Sequence, residues 1–208
     1  MPDQPDFQWF GPADNRWGVR LLDVRPVTQT YMSTSKNPQF AANAVSFGQD
    51  DGHSFLTMEP TVQRTVPANL RYRKPALLKD GALFRPSRME HKWAIFYLQR
   101  RILFVRSWQR MVMVVAETKD NGDKLDLVSL RGAFAAEQEP ADFTVRCCDY
   151  MMHSHALSIE YPTPLLPGDE QDANKAAFWC FSCFGCMSVC ATPDAASMSV
   201  PEELLKTS

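Results

Sequence analysis

Four cysteines in the last third of the chain, Cys180, Cys183, Cys186 and Cys190, follow the spacing C-x2-C-x2-C-x3-C. Bacterial ferredoxins hold a [4Fe–4S] cluster on such a run, because a looping backbone lets closely spaced thiolates face one cube of metal. That chemistry would serve electron transfer or sensing, with Cys147 or Cys148 available as a remote ligand. Three features oppose it. Residue 191 is alanine where proline is usual, no second motif exists, and Phe181, Ser182, Phe184 and Gly185 continue an apolar helix that begins near Ala176. We therefore read the cysteines first as small buried hydrophobes, a role free cysteine often fills, so that no cofactor is expected, and keep the cluster as the alternative. Cys147, Cys148, His153 and His155 also lie within nine residues. Adjacent cysteines and an H-x-H pair do not share one helix face, so they suit a tetrahedral zinc site poorly.

The second source of chemistry is charge. Between Arg64 and Arg110 twelve basic residues stand against Asp80 and Glu90, so this segment carries +10 and the remainder −12, although the whole chain is only −2. Tyr72, Phe84, Trp93, Phe96, Tyr97, Phe104 and Trp108 are interleaved with the cations. Cations that neutralise phosphates and rings that stack on bases are the ingredients of single-strand nucleic-acid binding. On a strand Arg106 and Trp108 would share one face, with Arg110 if the extension continues. The expected surface comprises Arg71, Arg73, Lys74, Arg100, Arg101, Arg106, Trp108 and Arg110, meeting an anionic partner, either an acidic protein or a nucleic acid. In the competing arrangement the rings fill the core and the cations face the acidic remainder of the same chain.

Catalytic motifs are missing: there is no G-x-S-x-G elbow, P-loop, dinucleotide fingerprint or H-E-x-x-H. We single out no catalytic residue and expect a binding or regulatory protein rather than an enzyme. No apolar run approaches the ~20 residues of a membrane span. The start, Met1-Pro2-Asp3-Gln4, lacks the basic and apolar stretches of a secretory signal, so a cytoplasmic protein with reduced thiols is expected.

These residues need elements to hold them. Trp17–Val24 reads as a strand stopped before Arg25-Pro26. Asn37 and Pro38 mark a helix start, running over residues 38–47. Residues 53–130 carry short β-branched and aromatic runs at His53–Met58, Asn69–Arg73, Ala82–Arg85, Lys92–Leu98, Ile102–Ser107, Met111–Ala116 and Leu125–Leu130. Their close spacing implies antiparallel pairing. Helices follow over 141–156 and 172–185, and residues 199–205 can add a helical turn. The expectation is one α+β domain over residues 1–208, a mainly antiparallel meander of six or seven strands with about three packed helices, and a loosely ordered segment over residues 1–15.

The order Trp17-Gly18-Val19, Asp23-Val24-Arg25-Pro26, Lys92-Trp93, Phe104-Val105-Arg106-Ser107-Trp108 and Phe181-Ser182-Cys183-Phe184-Gly185 resembles a family of uncharacterised bacterial cytosolic single-domain proteins. The likeness spans most of the chain and implies a single α+β domain. It implies no activity, and it places helical apolar residues rather than ligands in the cysteine stretch. This chain departs from the pattern at Gln99-Arg100-Arg101 and Gln109-Arg110, where a glycine-containing turn would be expected.

Overall fold

Alternating apolar side chains along one hairpin build the centre of the molecule. A computed structural model of the chain describes residues 6–194 and 203–207. In chain order these form β1 (Trp9–Phe10), β2 (Leu21–Asp23), α1 (Arg25–Thr28), α2 (Pro38–Ala44), β3 (Thr65–Arg73), β4 (Gly81–Phe84), β5 (Trp93–Leu98), β6 (Arg101–Arg106), β7 (Met111–Asn121), β8 (Lys124–Gly132), α3 (Ala141–Met151), β9 (Thr163–Pro164), α4 (Ala173–Phe184) and β10 (Cys190–Thr192). The fold is α+β. Its main sheet is fully antiparallel, in the order β3-β8-β7-β6-β5-β4. A smaller sheet has the order β1-β2-β10-β9, with one parallel pair between β9 and β10.

The β5–β6 hairpin is buried on both faces. Trp93, Ile95, Tyr97, Ile102 and Phe104 point to one side and meet Phe143, Tyr150 and Met151 of α3 and Phe184 of α4. Ala94, Phe96, Leu98, Leu103 and Val105 point to the other, where Phe47 and Phe55 cover them. Period-two alternation with apolar residues at every position is what a strand between two layers requires. Two helices start as their sequences dictate: the Asn37 side chain accepts from Gln39 N at 3.0 Å, and Asp172 accepts from Lys175 N at 3.1 Å, each satisfying a first-turn amide.

Several expectations are corrected. His53–Met58 is not a strand, since His53–Phe55 coils into a 3-10 turn. Asp50 and Asp51 accept from the amides of Gly52 and His53, and these local bonds outcompete sheet pairing. The first expected strand shortens to Leu21–Asp23 and joins the smaller sheet. Inside the segment expected to be loose, Trp9 and Phe10 pair with Leu22 and Leu21; residues 1–5 lie outside the described residues. The expected terminal turn falls mostly on residues 195–202, also outside them. Leu204 forms a parallel bridge to Arg73, and Leu205 inserts fully buried beside Tyr72.

Candidate anion-binding hollow

Several residues of the expected basic surface make contacts within the chain. Arg71 pairs with Asp126 at 2.5 Å, and Arg101 donates to the Leu56 carbonyl at 3.3 Å. Lys74 is buried, with its ammonium on the carbonyls of Pro75, Ala76 and Gly122 and 3.1 Å from Asp120. Arg73 lies at the end of β3, where its carbonyl accepts from Leu205 N. Arg100 sits in the β5–β6 turn. Arg110 does not continue the face of Arg106. The chain turns after Arg106, Arg110 has φ 52°, and its guanidinium bonds Ser46 and Asp50 above the Phe47 and Phe55 rings. Of the aromatics offered for stacking, Tyr72, Trp93, Phe96, Tyr97 and Phe104 are buried.

Arg106 and Trp108 do come together, around a lysine that charge counting alone did not single out. Lys92 precedes β5 and Arg106 ends β6, because Trp93 and Arg106 are register partners. Ser107 ties the strand ends by donating from N to Lys92 O at 3.0 Å and from Oγ to His91 O at 2.7 Å. The indole of Trp108 donates to Met89 O at 2.9 Å, which fixes its ring over Lys92. The Arg106 guanidinium donates to Cys183 O at 2.5 Å and Ser182 O at 2.6 Å. It thus caps the C-terminal carbonyls of α4, where the helix dipole favours a cation, and brings Phe181 and Ser182 to the same place.

The result is a hollow of about 320 Å³ lined by Lys92, Arg106, Trp108, Gln109, Phe181, Ser182 and residues 32–34. Lys92 is only 4% exposed. Its ammonium lies 4.0 Å from the centre of the Trp108 ring and 5.2 Å from that of Phe181, and donates to Ser33 Oγ at 2.5 Å. The Ser33 amide in turn donates to the Glu90 carboxylate at 2.8 Å. Burial and the nearby Arg106 charge push the Lys92 pKa down to about 8, against the opposing pull of Glu90 and Cys186. Ser33 therefore latches its loop onto the hollow's floor, while the neighbouring Met32 is 82% exposed at the rim. On the other side of that loop a second hollow of about 450 Å³ is bordered by Arg88, Glu90 and Cys186.

The cysteines disperse. Cys180 packs with Leu22, Val24 and Ala191, and Cys190 packs with Val19 and Leu21. Cys183 borders the main core, and Cys186 Sγ receives Arg88 Nη2 at 3.2 Å. Burial pushes the Cys183 thiol up to about 11 and Cys190 up to about 12, and raises Cys186 as well. Cys147 and Cys148 are fully buried on α3, and His155 is buried beside Ser154. Among the described residues no group of three or more His, Cys, Asp or Glu is arranged to hold a metal, and no helix is long and apolar enough to cross a membrane.

Ser33 and Phe181 were invisible as site residues, since each joins Lys92 only through the tertiary fold. The one available signal was Lys92 itself, a cation placed directly against a wholly apolar strand. Comparison with family models, curated proteins and solved structures gives no match.

Proposed function

We propose that this protein binds a small anion carrying an apolar or aromatic body, with the anionic group on Lys92 and the body between Trp108 and Phe181. The observation that carries this is the contrast between the two buried lysines. Lys74 has three carbonyls and a carboxylate around its ammonium. Lys92 has a single hydrogen-bond acceptor among the described residues, the Ser33 hydroxyl, and an ammonium has three N–H donors. Burying a cation without a bonded carboxylate is costly, and an anionic ligand would offset that cost. The hollow's volume lies at the lower end of the ~300–1,000 Å³ typical of ligand pockets. Trp108 and Phe181 supply apolar walls, and Arg106 adds a second positive charge.

Calorimetric titration with benzoate, phenyl phosphate and inorganic phosphate tests this. Binding should weaken as salt rises, favour the ligands with a ring, and fall at least ten-fold in Lys92→Met. An absence of binding by all three anions, or equal binding by Lys92→Met, would refute it. A polyanion that binds equally well to wild type and Lys92→Met would instead place the contact on the outer basic residues.

A further inference from the structure

We propose that Lys92 is an amine nucleophile that captures an α-oxo acid as an imine, a step that rests on the hollow being an anion site. The geometry carries it. Lys92 is one of the residues lining an open hollow, and its nitrogen lies against the Trp108 and Phe181 rings that line it too. Ser33 Oγ at 2.5 Å is placed to take a hydrogen bond from it or to return one. Arg106 lines the same hollow, so a carboxylate directly attached to a carbonyl would be drawn to the guanidinium while the carbonyl carbon approaches the amine. The Trp108 and Phe181 rings flank the ammonium and limit water around the adduct. The charged and titratable groups facing Lys92 are Arg106 from β6, Glu90 from its own segment and Cys186 from the turn after α4. With its pKa near 8, about a tenth of the amine is neutral at pH 7 and about half at pH 8, and desolvation of a lysine is a general route to such a nucleophile.

The step balances without an oxidant. The neutral amine adds to the carbonyl carbon, and the carbonyl oxygen is protonated to give a carbinolamine. The hydroxyl then leaves as water with the remaining amine proton, forming C=N, and hydrolysis reverses the sequence.

The test is reductive trapping of the intact protein with limiting glyoxylate and cyanoborohydride, read by peptide mapping. The product is a carboxymethyl group on the trapped amine. There are eight lysines, and accessibility alone favours exposed ones such as Lys36 and Lys79. We expect Lys92 to be labelled at least ten-fold faster than either, with the rate half-maximal near pH 8 and suppressed by excess benzoate. Lys92→Arg, which keeps the cation and loses the nucleophile, should lose this adduct. Labelling of Lys92 no faster than Lys36 would overturn the proposal. In that event, calorimetric benzoate binding separates failure of the imine step alone from failure of the anion site as well.

Discussion

The Lys92 ammonium sits 4.0 Å above the centre of the Trp108 ring, and this contact holds a cation where burial disfavours one. Its pKa falls from 10.5 in the unfolded chain to about 8 in the fold. Between those values the unfolded chain binds more protons, so Lys92 makes stability rise with pH across that window. Below pH 8 its charged form costs of order 1–2 kcal/mol once solvent screening is allowed for. The thiols and phenols titrate in the same range in the unfolded chain, while burial raises them in the fold, so the wild-type curve alone is not diagnostic. Urea denaturation of wild type and Lys92→Met at pH 7.5 and pH 10 isolates the term. The wild type should gain on the variant at the higher pH, and parallel curves would show that Lys92 is not desolvated.

Asp149 is the hub of a buried network that joins sheet to helix. Tyr72 of β3 donates to it at 2.7 Å and Tyr161 at 2.6 Å, while His153 Nδ1 lies 3.1 Å away. Burial alone would raise its pKa. The hydrogen bond and charge of His153, with the two phenols, outweigh that and hold the carboxyl below its usual 3.8. Asp149→Asn keeps the shape and replaces one accepting oxygen with a donor, leaving a buried phenol unsatisfied. The expected loss is about 2–3 kcal/mol at neutral pH. Because the folded pKa is depressed, Asp149's ionic contribution is complete above pH 3.8 and fades as pH falls through the folded value. Denaturation midpoints of wild type and variant should therefore converge in acid, and a midpoint shift that stays constant from pH 7 to pH 2 would contradict this assignment.

The main sheet was legible in the sequence because its strands are local, apolar and separated by short polar turns. Lys92–Leu98 and Ile102–Ser107 read correctly to within a residue or two at each end. His53–Met58 misled because its apolar residues cover a sheet face without joining it, which Asp50 and Asp51 enforce through side-chain bonds that strand propensity ignores. The hollow was half legible. Arg106 and Trp108 could be paired by spacing, but their meeting with Lys92 requires the β5–β6 register, and Ser33 arrives from a loop 59 residues away. Charge counting is blind for a related reason: it cannot distinguish Arg71, matched across the β3–β8 ladder by Asp126, from Lys92, which bonds no carboxylate among the described residues.

Gly185 should tolerate no side chain. It has φ 72° and ends α4 with its amide bonded to Cys180 O and Phe181 O. It also forms an antiparallel bridge with His91. A β-carbon there would land on the Glu90 carbonyl oxygen and press on Lys92 Cγ. A collision with backbone relaxes poorly, so Gly185→Ala should cost more than about 3 kcal/mol. The same displacement would move Glu90 and Lys92, so any folded fraction should bind benzoate more weakly. Gly48, where a β-carbon meets nothing within 4 Å, provides the comparison: Gly48→Ala should lie within about 0.5 kcal/mol of wild type. Chemical denaturation of both variants decides the point.

The β5–β6 turn offers a stabilising substitution that also separates two views of the basic surface. Gln99 and Arg100 have φ of 49° and 63°, as a two-residue primed hairpin turn demands, yet neither is glycine or asparagine. The turn is held by Asp80, whose carboxylate accepts from Gln99 N, and by Thr118, which donates from N and Oγ to the Arg100 carbonyl. Those bonds use backbone atoms of the turn and survive Arg100→Gly, which removes the left-handed strain. A gain of about 1 kcal/mol is expected, seen as a rise in Tm of about 2–4 °C for a chain of this size. The turn lies at the opposite end of the hairpin from Lys92, seven or more residue steps and roughly 23 Å along the strand. Benzoate affinity should therefore be unchanged in Arg100→Gly. A ligand site spread over the whole basic segment predicts instead that affinity falls with the lost charge, so calorimetry on this one variant tells a localised hollow from a distributed surface.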